Sequence, residues 1–89
     1  MAFYRCRICT EDGDELCEDV TVTIETVDRD GEPQWYGTLS MTRRVPLETG
    51  QRYRLELEDG RSGQFAVRRS TFAGGDTQAI AIVGVSPLA

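Results

Sequence analysis

The stretch Val20-Thr21-Val22-Thr23-Ile24-Glu25 decides the fold class, because β-branched apolar residues alternate there with polar ones. A period of two places Val20, Val22 and Ile24 on one face and Thr21, Thr23 and Glu25 on the other. That is the pattern of a half-buried β-strand. Val27 breaks the parity, which implies a bulge or the end of the strand. The residues that follow, Asp28-Arg29-Asp30-Gly31-Glu32-Pro33, form a turn by composition.

The same alternation recurs on either side. Towards the amino terminus, Phe3–Cys9 reads as a strand with Tyr4, Cys6 and Ile8 on one face, followed by an acidic loop containing Gly13. Towards the carboxyl terminus, Gln34–Thr42 places Trp35, Gly37, Leu39 and Met41 together. Arg43–Gly50 is a connection, with Pro46 and Gly50 as breakers and Val45 and Leu47 seeking burial. No segment carries the 3.6-residue periodicity of a helix for roughly 10–12 residues.

Arg52–Arg69 is a hairpin whose register follows from parity. Tyr53, Leu55 and Leu57 share one face, and Phe65 and Val67 must share it across the pair. A two-residue Asp59-Gly60 turn would throw Phe65 outward. A three-residue loop with Gly60 in the left-handed position keeps the parity, pairing Leu55 with Gly63 and Tyr53 with Phe65. Ser70–Gln78 then reads as a loop around Gly74-Gly75, and Ala79–Val85 as the last strand with Ile80 and Ile82 inward. The expected fold is a single all-β domain over residues 1–89, a small six-stranded antiparallel barrel or sandwich.

The chain has 89 residues, enough for one core, and 39% of them are hydrophobic, so a packed domain is expected. Its longest apolar run, Ala79–Val85, is far short of the roughly 20 residues of a membrane-spanning helix. Arginines occupy the first residues where a signal peptide needs an apolar core. A cytoplasmic location without membrane contact is the expectation, unless an export segment has been removed. The net charge of −5 is uneven: residues 1–33 hold ten acidic and three basic side chains, residues 34–89 five and seven. Overall acidity argues against indiscriminate nucleic-acid binding. The asymmetry leaves room for an acidic patch that meets a basic partner.

Lys, Asn and His are all absent. Without His the chain lacks the commonest general base and the commonest metal ligand. Cys6-Arg7-Ile8-Cys9 with Cys17 falls short of four zinc ligands unless Glu18 or Asp19 serves, and strand parity puts Cys6 and Cys9 on opposite faces. Cys6 and Cys17 are expected in the core and Cys9 partly exposed. The acidic turns around Gly13 and Gly31 lack the ligand spacing of an EF-hand. A Ser-His or Ser-Lys device is impossible within this chain. No enzyme activity, cofactor or metal is therefore expected.

What remains is binding. Arg5, Arg7, Arg52 and Arg54 fall on solvent faces of their strands with Tyr36, while Arg68 and Arg69 sit at a strand end near Phe72. The leading expectation is a non-catalytic interaction module that binds another protein or a second copy of itself through β edges. Phe3, Phe72 and Val83 are apolar groups such an interface would cover. The alternative is a small barrel that holds single-stranded nucleic acid or a nucleotide on an arginine and aromatic face.

Overall fold

Val20, Val22 and Ile24 are buried, as their alternation requires, while Thr21 is exposed and Thr23 half-buried. The strand that carries them is one of six in a computed structural model, which describes residues 2–41, 47–74 and 77–89. Side chains are described from residue 3 onward, except 72–74 within these spans. In chain order the strands are β1 (Ala2–Thr10), β2 (Glu15–Arg29), β3 (Glu32–Met41), β4 (Arg52–Leu57), β5 (Ser62–Gly74) and β6 (Thr77–Gly84). They close into an antiparallel barrel in the order β1-β2-β3-β6-β5-β4. β4 returns to β1 through the pairs Cys6–Leu57 to Thr10–Tyr53. The all-β, six-stranded expectation holds, and of its two forms the chain adopts the barrel.

Inward positions from every strand fill the interior. Ile8, Val22, Leu39, Leu55, Phe65 and Ile80 have no measurable exposure, and Cys6, Cys17 and Leu47 pack with them. Tyr53 and Phe65 stack across β4 and β5 with ring centroids 5.9 Å apart. The Tyr53 hydroxyl accepts a hydrogen bond from the Glu48 amide at 2.9 Å, which anchors the end of the β3–β4 connection. Val45 and Pro46, with Arg43 and Arg44, lie outside the described residues.

The β4–β5 hairpin has the register that parity demands. Leu55 pairs with Gly63 and Tyr53 with Phe65, and Gly60 has φ 97° in a three-residue loop. The Leu57 amide donates to the Arg61 carbonyl at 2.8 Å, and the Gly60 amide to the Leu57 carbonyl at 3.0 Å.

Two other expectations are corrected. Val27 marks neither a bulge nor an end, because β2 and β3 keep one register from Thr21–Ser40 to Arg29–Glu32. Val27 simply faces outward with Thr23 and Glu25. Only Asp30 and Gly31, at φ 52° and 81°, form the turn, the two-residue hairpin geometry that Asp-Gly favours. The segment from Ser70 is likewise no loop, since β5 continues to Gly74 and pairs with β6 through Phe72–Gln78. A register shift between Val67 and Arg69 inverts the parity there, so simple alternation hides the strand.

Trp35 closes the end of the barrel where β1 begins. Its indole Nε1 donates to the Ser86 carbonyl at 2.8 Å, and a Cβ on Gly84 would overlap the ring. Beyond β6 the chain continues alongside β5: Ser62 and Ala89 exchange two backbone hydrogen bonds of 3.1 Å. Gly84→Ala should therefore push the indole from its seat. The expected cost is about 1–3 kcal/mol in urea unfolding, with a red shift in emission from the only tryptophan in the chain. Unchanged stability and emission would refute the packing described.

Candidate functional site

Antiparallel pairing across the closing seam sets outward-facing β1 arginines beside carboxylates. Arg7 lies directly opposite Glu56 and donates to both its oxygens, Nε to Oε2 at 3.1 Å and Nη2 to Oε1 at 3.2 Å. A third contact runs from Arg7 Nη1 to Glu15 at 3.5 Å. Arg5 donates to Asp19, whose φ of 58° marks a left-handed residue within the irregular stretch of the β1–β2 ladder. The hollow of ≈ 380 Å³ between these pairs is lined by Arg5, Arg7, Asp19, Glu56 and Glu58. Its arginines are already matched by carboxylates, so it offers an anion little net attraction. Exposed pairs of this kind contribute little to stability.

The bidentate contact with Arg7 holds the Glu56 carboxyl below its ordinary range. Beneath it lies Cys9, only 2% exposed, which corrects the expectation of partial exposure. Its thiol Sγ is 3.6 Å from Glu56 Oε2, and register shifts on both sides of Ile8 accompany this placement. Alternation predicts the face a residue occupies but not what a neighbouring strand lays over it. Burial raises the Cys9 thiol, and Glu56 raises it further. Cys6, within the core, is pushed up to about 12 by burial, with Cys17 adding to the effect. Such thiols remain protonated and are poor nucleophiles and ligands. Among the described residues no cluster of three Cys, Asp or Glu is arranged to hold a metal ion.

Arg54 stands on the same seam, opposite Cys9, but outside these ion pairs, whereas Arg52, Arg68 and Arg69 lie beyond the β1–β4 pairing. Arg54 reaches Ser62 Oγ at 3.5 Å. Arg52, Arg68 and Arg69 are exposed and make no ion pair among the described residues. Arg52 stands opposite Ala66, and Tyr36 terminates the same outward row through Val83, three strands away. At about 4.8 Å per strand, that separation is roughly 14 Å. The Tyr36 hydroxyl bonds to Glu25, which raises its ionisation above the ordinary tyrosine value. The Phe72 side chain lies outside the described residues. The eight sequence candidates are thus dispersed around the barrel: Arg5 and Arg7 are neutralised on the seam, while Arg52, Arg54, Arg68 and Arg69 run along β4 and β5. Tyr36 is remote from both groups.

A cleft at the barrel's mouth escaped the sequence reading. It encloses ≈ 340 Å³ and is lined by Tyr4, Ile24, Pro33, Trp35, Arg61 and Leu88, among others. The Arg61 guanidinium sits 5.0 Å from the centre of the Tyr4 ring while binding Asp59 at 3.0 Å. Five segments contribute to this cleft, and no spacing along the chain announces their meeting. Trp35 was the only signal available, and alternation marks it as core.

Closure also determines where backbone hydrogen-bonding groups remain free. β2 pairs with β1 only as far as Ile24, so along 25–29 its β1 side is unpaired among the described residues. β4 and the segment before it follow β5 no further than Val67, which leaves 68–74 unpaired on that side among the described residues. Both stretches belong to hairpins that extend past the closed part of the barrel, and the molecule measures 41 × 25 × 24 Å. The β2 stretch adjoins the mouth cleft, to which Ile24 and Thr26 contribute. Comparison with protein-family models, curated proteins and solved structures finds no match.

The Arg7–Glu56 pair makes a pH prediction with a definite sign. Because the folded-state Glu56 value is lowered, its stabilisation is complete above the ordinary glutamate range and is lost as pH falls through the folded value. The urea midpoint should fall on acidification, and in Glu56→Gln it should fall less. Parallel curves for the two proteins would exclude that linkage.

Proposed function

We infer that this chain is a non-catalytic interaction module which receives an extended protein segment at a free strand edge. The observation that carries this reading is the unpaired stretch of β2 at 25–29 lying beside the mouth cleft. Strand addition takes affinity from backbone hydrogen bonds and specificity from pockets that accept alternate side chains. The β2 edge offers the first, and the space between Tyr4, Pro33 and Leu88 offers the second. Exposed Val27, at 43%, extends the apolar surface along the same hairpin. The reading differs from assembly along an open sheet edge, since the sheet is closed into a barrel. The absence of His and Lys, together with raised Cys6 and Cys9 thiols, supports a role without catalysis.

A random-sequence peptide library displayed on phage should yield binders to the immobilised chain. Amide shifts caused by a synthetic copy of a selected peptide should concentrate at residues 25–29 and at Tyr4 and Trp35. Shifts restricted to the outer faces of β3 and β6 would overturn the reading.

A second reading rests on Arg52, Arg68 and Arg69, which lack carboxylate partners among the described residues. Three clustered arginines suit an anionic strand, but the surrounding acidity opposes it. A fluorescent oligothymidine should accordingly show no binding at low ionic strength. Binding that weakens steeply with added salt would transfer the function to this arginine surface.

A further inference from the structure

Two of the strand stretches left unpaired among the described residues, 25–29 of β2 and 68–74 of β5, carry opposite charge. The β2–β3 hairpin beyond Ile24 holds Glu25, Asp28, Asp30 and Glu32 against Arg29 alone. The free stretch of β5 from Arg68 to Gly74 holds Arg68 and Arg69 and no acid. Arg69 stands opposite Ala81 on the outer face, and both arginines are exposed. Each edge therefore repels its own copy: two β2 edges would bring acids together, and two β5 edges would bring arginines together. Like charges set opposite each other across strands destabilise the pairing. The cross-combination sets the acids of one edge against the arginines of the other, with Arg29 alone opposing it.

The edges also lie at opposite ends of the molecule. β2 descends to its hairpin at the end where β1 begins, whereas β5 ascends to its free stretch where β1 finishes. The free stretches are of similar length, five residues in β2 and seven in β5. Five paired residues span roughly 17 Å.

We propose that the segment received at the β2 edge is the β5 edge of a second copy of this chain, giving head-to-tail assembly by strand addition. The proposal rests on the strand-edge reading above and names its occupant. Because the surfaces differ, the contact is heterologous: it propagates to a ring or a filament and does not stop at a two-fold dimer. The charges that prevent like edges from pairing also fix the direction of growth. Screening weakens the contact as salt rises, since both charge sets are exposed.

Sedimentation velocity of the full chain tests this directly. At about 0.01 M salt the average mass should rise with protein concentration through odd and even multiples of one chain, and at about 1 M salt it should return towards one. Glu25→Arg with Asp28→Arg makes both edges basic, and Arg68→Glu with Arg69→Glu makes both acidic. Each double variant alone should remain a single chain, and an equimolar mixture should associate. Far-ultraviolet dichroism and tryptophan emission establish that both variants keep the fold. A single-chain species at every concentration in low salt would overturn the proposal. So would a dimer indifferent to both variants, or a mixture that does not associate. Selected peptides mapping to 25–29 on a chain that never self-associates would retain the strand-edge reading and reject the second copy as its occupant.

Discussion

The pairing of β1 with β4 is the constraint on which the rest of the molecule depends. Five strand neighbours can be arranged as an open sheet, but only this sixth contact turns the sheet into a barrel. It joins segments almost fifty residues apart, Arg7 with Glu56 and Cys9 with Arg54. The Glu58 amide, donating to the Arg5 carbonyl at 3.0 Å, continues the seam towards the mouth. Inside it, Cys6, Ile8, Leu55 and Leu57 complete a core whose buried side-chain polar atoms all have partners among the described residues. Such a core is assembled largely from contacts distant in sequence, so loop-closure entropy is committed before much burial is gained.

Closure has a second effect, on the surface. A six-stranded open sheet would present two full-length edges, whereas a barrel satisfies its backbone groups internally. The strands here differ in length, from six residues in β4 to fifteen in β2, so the ends of the longer ones outrun their neighbours. Among the described residues, unpaired backbone is thereby left on two hairpins at opposite ends. The same mismatch opens the mouth cleft, where the β2–β3 hairpin, the start of β1 and the terminal segment meet around Trp35. Function is best sought where the regular ladder ends, because the cylinder itself is self-satisfied.

The charged surface follows from the same geometry. Glu15 and Asp19 from the acidic first third, and Glu56 from β4, become partners of β1 arginines once β2 and β4 flank that strand. Arginines on the upper part of β4 and β5 have no such neighbours among the described residues. An arginine's availability is therefore a property of the strand beside it. Arg7 and Arg52 occupy equivalent outward positions in sequence terms, yet one is held bidentately and the other is free of ion pairs among the described residues.

By itself, the sequence determined the strands that obey strict alternation and the hairpin joining β4 to β5. Val20 to Ile24, Trp35 to Met41 and Ile80 to Ile82 announce their inward faces because side-chain direction in a strand has a period of two. Gly60 announces its turn because the loop must preserve the parity of Leu55 and Phe65. Tertiary structure alone decided the choice of a barrel, the burial of Cys9, the continuation of β5 past Arg68 and the position of the mouth cleft. Each depends on a partner strand distant in the chain, or on a bulge that changes parity where partners meet. Local periodicity records which way a side chain points; what covers it is settled only when the remote strands pair.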